Sequence, residues 1–477
     1  MALLGRQEEQ RIIHQLVESE KSEFLALWGR RRVGKTYLVK EYFKQDFSFY
    51  ISGLQSATKK EQLANFNSAL NFYGKMPYPE LNSWLDAFRQ LIHLLEHSQK
   101  QGKKVIFIDE LPWLDTARSG FLTGLDFFWN TWASARKDIL LIVCGSATSW
   151  IIDKLLNSRG GLHNRVTRRM HISPFTLSEC EDFFRHKKMN FDRKSIVDAY
   201  MIFGGIPFYL EMFERGLSVA QNVDNLLYKK DAPLKNEFLF LYASLFKNYE
   251  NHLKIVEALS AKTKGLTREE IIKASGISNG GGLTTLLEEL EQCDFIRSYN
   301  GFGKKTKSTL YQLADFYSLF YFNFLENRKI KDEHFWMNFI DNAKRRAWSG
   351  YAFEQVCLAH VKQIKQKLGI AGVLTNISSW RSNDKDHAAQ IDLVIERNDR
   401  VINLCEMKYA GEEFVIDKQQ DENLRNKRAA FRNETKTSKT LYITMITTYG
   451  VKHNEYWGNI QSEVVMDDLF EKMPTSL

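Results

Sequence analysis

Proline and cysteine are both scarce in this 477-residue chain, with seven prolines and five cysteines, at positions 144, 180, 293, 357 and 405. So little proline, with no low-complexity run, leaves no long flexible linker in view. The cysteines are far apart and none forms a CxxC pair, which argues against a zinc site and a disulfide framework and leaves reduced core thiols. No apolar stretch is long enough to cross a bilayer and no charged-then-apolar leader precedes the first motif, so no membrane partner and a cytoplasmic location are expected. Neither sign of charge dominates: 66 Lys and Arg against 58 Asp and Glu give +8, which permits nucleic-acid binding without requiring it. The length exceeds one ordinary core, so two or three domains are expected.

What is present is concentrated in a few segments. Phe24–Trp28 (FLALW) is a short apolar run of the kind that forms a buried strand. It leads directly into GRRRVGKT, Gly29 to Thr36, and then into YLVKEYF with helical spacing. This is GxxxxGK(S/T) in the strand–loop–helix setting it requires. Gly29 and Gly34 allow backbone N–H groups to curl around phosphates at a helix N-terminus. Lys35 is placed to reach the β- and γ-phosphates of ATP, and Thr36 to hold Mg²⁺ through its hydroxyl.

A second apolar strand, Lys104–Ile108, ends in Asp109-Glu110. An acidic pair at the tip of a parallel strand lies beside the phosphate loop of a doubly wound sheet. Asp109 is expected to contact Mg²⁺ and Glu110 to orient the attacking water. A third strand, Ile139–Cys144, ends in Gly145-Ser146, where Ser146 either senses the γ-phosphate or is simply a turn serine. Arg159, Arg165, Arg168 and Arg169 follow as a basic cluster. Arg165 is the candidate to stabilise the transferring phosphoryl group, within the chain or, in a homo-oligomer, from a neighbour.

Further on, Leu253–Leu259, Thr267–Ser275 and Leu283–Cys293 have helical spacing, and Phe295–Ser298 with Thr309–Leu313 suggests a hairpin around GFGKKTK. Three helices and a wing make a winged helix. Its third helix carries Glu288, Glu289 and Glu291 and no Lys or Arg, so it suits a structural spacer better than a DNA reader; only Lys304, Lys305 and Lys307 favour the latter.

From about Ala347 the character changes. Trp348–Leu358 is an amphipathic helix whose one acid is Glu354, and Ala389–Glu396 and Val401–Lys408 are strands joined by a turn. Period-two alternation puts Glu406 and Lys408 on one face, with Asp392 across the hairpin at about the same level. Two carboxylates can hold a divalent metal, and a lysine beside them can activate water against a phosphodiester. The spacing D-x13-E-x-K, preceded by a helix bearing Glu354, matches the PD-(D/E)xK nuclease pattern. The match implies catalytic roles for Asp392, Glu406 and Lys408, with Asp392 and Glu406 as metal ligands and Glu354 as a helix-borne metal ligand or metal organiser. Leu424–Lys439 holds six basic residues against one acid and offers a face to follow DNA phosphates.

The chain as a whole resembles the archaeal-type ATPases of the STAND/AAA+ group that carry a restriction-endonuclease-like C-terminal domain. LLGRQEE (Leu3–Glu9) is similar to the opening box of that family, which implies that Arg6 helps to seat the adenine. GRRRVGKT and VIFIDELPWL resemble its Walker motifs, and CGSATSWI and ISPFTLSEC its sensor and following segments. GGIPFYL (Gly204–Leu210) resembles its helical-lid signature, which implies that Pro207 packs near base or ribose. The segment before ISPF reads GGLHNR, where the family has a Pro-Leu-Tyr-Gly-Arg-like string.

The expected architecture is therefore an α/β P-loop ATPase core with a parallel sheet (1–173) and a helical lid (174–243). A winged helix (244–325) and an α/β restriction-endonuclease-like domain (326–477) follow. ATP and Mg²⁺ are the expected cofactors, and DNA and a second copy of the chain the expected partners. Two functions fit: an ATP-driven or ATP-gated, metal-dependent nuclease, or a nucleotide-switched scaffold whose nuclease-like domain binds without cutting.

Overall fold

The computed structural model describes residues 3–146, 148–156, 164–246, 248–262, 264–303, 309–326, 332–340, 342–382 and 389–473. The chain divides into two compact units, Met1–Ser173 and Pro174–Leu477. The lid, winged-helix and nuclease-like segments expected beyond residue 173 all fall within the second.

In the first unit, β1 (Glu23–Trp28), β2 (Phe49–Ser52), β3 (Lys104–Asp109), β4 (Ile139–Cys144) and β5 (Arg168–His171) form a wholly parallel sheet in the order β2-β3-β4-β1-β5. β3 and β4 are buried at every residue, as strands covered on both faces must be. Helices Lys59–Gly74, Trp84–His97 and Phe121–Thr131 cover one face through Phe66, Trp84, Phe88, Phe121 and Phe128. Each fully buried side chain of this size contributes on the order of 2–3 kcal/mol relative to exposure.

The second unit opens with helices Leu177–His186, Arg193–Phe203 and Pro207–Glu211. Helices Tyr249–Ser260, Arg268–Ser275 and Gly281–Gln292 follow, together with an antiparallel sheet of β6 (Leu266–Thr267), β8 (Leu310–Leu313) and β7 (Ile296–Tyr299), in that order. Glu289 of the Gly281–Gln292 helix faces His252 at 2.8 Å, and Glu291 accepts from the Ser298 hydroxyl at 2.5 Å, so both carboxylates are engaged internally. Lys304, Lys305 and Lys307 lie outside the described residues.

A mixed sheet completes this unit in the order β13-β12-β11-β10-β9. β9 (Thr375–Arg381), β10 (Gln390–Arg397) and β11 (Val401–Lys408) are antiparallel; β11, β12 (Thr440–Thr447) and β13 (Ser462–Val465) are parallel. A parallel β11–β12 pair needs a crossover. It is supplied by the helix Lys418–Thr435, which begins six residues before the expected Leu424 because Asp417 caps it, and buries Leu424 and Phe431. The turn after β7 docks on this sheet. Gly301 bridges to Ser379, the Phe302 N–H donates to the Ser379 carbonyl at 2.9 Å, and the Phe302 ring meets Phe431 at 4.9 Å.

His360, fully buried at the end of helix Ala343–Ala359, joins that helix to the start of Leu177–His186. The Leu177 N–H donates to Nε2 at 3.0 Å, so the imidazole is neutral there, and Nδ1 donates to the Val356 carbonyl at 2.8 Å. Burial lowers the His360 pKa to about 4. Above the ordinary histidine range both folded and unfolded chains hold it neutral. As pH falls from about 6.5 towards 4, only the unfolded chain takes the proton, which withdraws on the order of 3 kcal/mol of stability. The urea midpoint of the wild type should therefore fall more steeply over this window than that of His360→Gln; parallel pH profiles would show that His360 is not the source.

Candidate functional site

The C-terminal ends of β1, β3 and β4 converge on one site. After Trp28 the chain turns through Gly29 at φ +139°, where an added Cβ would stand 2.3 Å from the Ile172 carbonyl oxygen. Only glycine tolerates that approach. Gly34 (φ +89°) starts the helix Lys35–Tyr42, so the N-terminus of that helix faces the loop. Lys35 is buried, and its ammonium donates to the carbonyls of Gly29 at 2.8 Å and Arg30 at 2.9 Å.

β4 lies between β1 and β3, so Asp109 reaches across its end to the phosphate loop. The Thr36 hydroxyl stands 2.9 Å from Asp109 Oδ2, and Asp109 Oδ1 accepts from the Glu110 N–H at 2.9 Å and from Cys144 Sγ at 2.7 Å. Burial, with the neighbouring Asp109 charge, pushes the Cys144 thiol well up, so it remains a protonated donor. Glu110 sits at φ 45°, at the start of the turn of helix Leu111–Leu114. Its Oε2 accepts from the Ser146 hydroxyl at 2.9 Å and the Ser146 N–H at 3.1 Å. A hydroxyl and a carboxylate in contact are hard oxygen donors that suit Mg²⁺. Arg6 is buried behind the loop, donating to the Val33 carbonyl at 3.0 Å, with Glu9 at 3.4 Å.

One expected participant stands elsewhere on the sheet. β5 runs parallel to β1 with Leu25 opposite Arg168 and Trp28 opposite His171. Arg165, exposed three residues before β5, is therefore at the amino-terminal edge of the sheet, whereas the phosphate loop leaves the carboxyl-terminal edge. At about 3.3 Å per residue the intervening strand is longer than an arginine side chain. An arginine role for Arg165 within its own chain is thereby corrected. Arg159 lies outside the described residues. Pro207 belongs to the second unit, at the first position of helix Pro207–Glu211.

In that second unit a different set of charges meets at the β10–β11 hairpin. Leu393 pairs with Cys405, which puts Asp392 opposite Glu406. Helix Ala343–Ala359 packs on β11 and brings Glu354 to the same place. Burial, reinforced by Asp392 and Glu406, pushes the Glu354 carboxyl up to about 8. Burial raises Asp392 too, against the Gln390 amide that donates to its Oδ1 at 2.6 Å. At Glu406 burial acts in the same direction, but Lys427 at 2.6 Å and Lys408 at 3.0 Å outweigh it and hold that carboxylate below its usual value. Glu354 and Asp392, with Lys408, border a cavity of about 300 Å³.

Buried carboxylates that raise one another's pKa have the donor chemistry for a hard divalent cation. Yet among the described residues no group of three or more His, Cys, Asp or Glu is arranged to hold an ion. The expected three-carboxylate set of Glu354, Asp392 and Glu406 is not formed as such, because both Glu406 oxygens are held by ammonium groups. Lys427 is likewise not free to follow DNA as expected, and Arg425 is paired with Asp421 at 2.8 Å. Lys427 had a legible signal, since it lies three residues after Leu424 and four before Phe431, on the buried face of its helix.

The family described as an ATPase domain predominantly from Archaea matches residues 3–213. The uncharacterized protein MJECL04 of Methanocaldococcus jannaschii is 24% identical over 411 residues, covering 85% of this chain and 87% of that protein. Among solved structures, the Walker-type ATPase PABY2304 of Pyrococcus abyssi is similar at 18% identity and a TM-score of 0.49, over 67% of this chain and 96% of that one. The ORC2 protein of Aeropyrum pernix is similar at 11% identity and a TM-score of 0.40, over 71% and 92%. The family match falls on the segment that carries the phosphate loop and the Asp109-Glu110 pair, so residues 3–213 of this chain are similar to ATPase domains of that archaeal type.

Proposed function

We propose that this chain is an ATP-hydrolysing switch joined to a divalent-metal-dependent nuclease site that acts on DNA. For the switch, the carrying observation is the contact of Thr36 with Asp109 beside that of Ser146 with Glu110. Lys35 leaves the loop carbonyls for the β- and γ-phosphates of ATP, exchanging neutral acceptors for charged ones. Thr36 and Asp109 would hold Mg²⁺, which would neutralise charge on the phosphates. Glu110, released from Ser146, orients the attacking water, and Ser146 is left to report the γ-phosphate. Arg6 braces the loop through Val33. An arginine from position 165 can serve only a neighbouring copy, which makes a homo-oligomer part of the proposal.

For the second site, Glu354, Asp392 and Glu406 would hold the divalent cation, which supplies Lewis-acid stabilisation of a phosphodiester. Lys408, which now pairs with Glu406, would position the water. Support for coupling comes from Tyr409, next to Lys408, whose hydroxyl donates to Asp198. Asp198 lies on the helix Arg193–Phe203 that ends in the Gly204–Pro207 motif. One observation favours the binding-only alternative: the two ammonium groups on Glu406 already balance that carboxylate without a metal.

Lys35→Ala should abolish ATP binding, and Glu110→Gln should retain binding while lowering turnover roughly 10²-fold or more; both are read by nucleotide titration and phosphate release. Wild-type turnover in Glu110→Gln would remove that residue from the water-orienting role.

Asp392→Ala and Glu406→Ala should each abolish nicking of plasmid DNA in Mg²⁺ or Mn²⁺ while phosphate release from ATP continues. Nicking by either variant at the wild-type rate would locate the cutting activity elsewhere.

A further inference from the structure

The cavity beside Asp392 is not built by the β10–β11 hairpin and its helix alone. Its wall includes Lys264, which precedes β6 in the middle of the chain, 128 residues before Asp392. We propose that Lys264 is a substrate contact of the C-terminal site, binding a nucleic-acid backbone phosphate, so that the middle segment and the five-stranded sheet form one cleft. This inference rests on the reading of that site as a nuclease site.

Three observations carry it. The backbone of Lys264 is fixed against the sheet: Arg381 Nη2, on β9, donates to the Lys264 carbonyl at 2.9 Å, and Leu266 pairs with Tyr311 two residues on. The ammonium itself is exposed and, among the described residues, forms no ion pair or hydrogen bond, whereas the lysines at 408 and 427 are both committed to Glu406. It lines the same cavity as Asp392. It is therefore a cation at the site with capacity for an incoming anion.

Part of the lining is kept small at a cost. Gly350 lies in the interior of helix Ala343–Ala359, where glycine is less favourable than alanine. It is one turn before Glu354, lines the cavity beside Ala347, and has nothing within 4 Å of where a Cβ would stand. A side chain there would project into the space between the helix and Lys264. Ala347 and Gly350 thus leave open space in a cavity whose lining also holds Glu354, Asp392 and Lys264. A phosphate set down beside an ionised Asp392 would be repelled by it, and Lys264 supplies the compensating charge.

The test uses the full chain and a short fluorescent DNA duplex, with affinity followed by anisotropy across a salt series in Ca²⁺, and nicking measured separately in Mg²⁺. Lys264→Ala should raise Kd roughly tenfold and make the log Kd against log salt slope shallower by about 0.9, the value of one phosphate contact. Lys264→Arg should restore the slope, and Gly350→Leu should weaken binding by filling the cleft, with thermal midpoints checking that each variant folds. If the wild type binds and nicks DNA and Lys264→Ala keeps its affinity and salt slope, the Lys264 inference is wrong and the nuclease reading stands. If the wild type neither binds nor nicks DNA, both fall together.

Discussion

The contact between Thr36 and Asp109 depends on a single topological fact: β4 is inserted between the strand that launches the phosphate loop and the strand that ends in the acidic pair. Only this order leaves a one-strand gap across which a short hydroxyl and a short carboxylate meet at 2.9 Å. It also places Gly145-Ser146 in the gap, so the residue holding Glu110 comes from the strand that separates the other two. The parallel sheet with buried faces is what fixes these strand ends. The site follows from the core rather than from its loops.

The C-terminal site is governed by a charge balance instead. Three carboxylates brought together by a helix and a hairpin repel one another, and the molecule answers in two ways. Glu406 stays ionised between two lysines, while burial and its neighbours drive Glu354 up to about 8. Such a site is poised to exchange protons and ammonium partners for another cation. The helix Lys418–Thr435 sets this balance by turning Lys427 inward from between Leu424 and Phe431.

How much of this is legible in the sequence depends on how local each signal is. The Gly29–Thr36 loop, Asp109-Glu110 and the β10–β11 hairpin announce themselves because period, turn and motif lie within a few residues of each other. The position of Arg165 is not legible, because it follows from β5 being the edge strand beside β1, a long-range pairing. The partner of β11 in the parallel direction, β12, is hidden for the same reason, since a helix separates them. Lys427 looks like one of six basic residues on a charged helix until the buried face is known. Lys264 carries no local signal at all; only the docking of Arg381 and Gly301 onto their partners brings it to Asp392.

The central claim is that nucleotide state in the ATPase domain governs chemistry at the Asp392 site. Nicking of supercoiled plasmid by the unmodified protein, compared in ATP, ADP and no nucleotide with Mg²⁺ or Mn²⁺ present, tests it most directly. The account predicts cutting that requires the divalent cation and changes rate between ATP and ADP. Cutting at one rate in all three conditions, or none in any of them while ATP is hydrolysed, would contradict it.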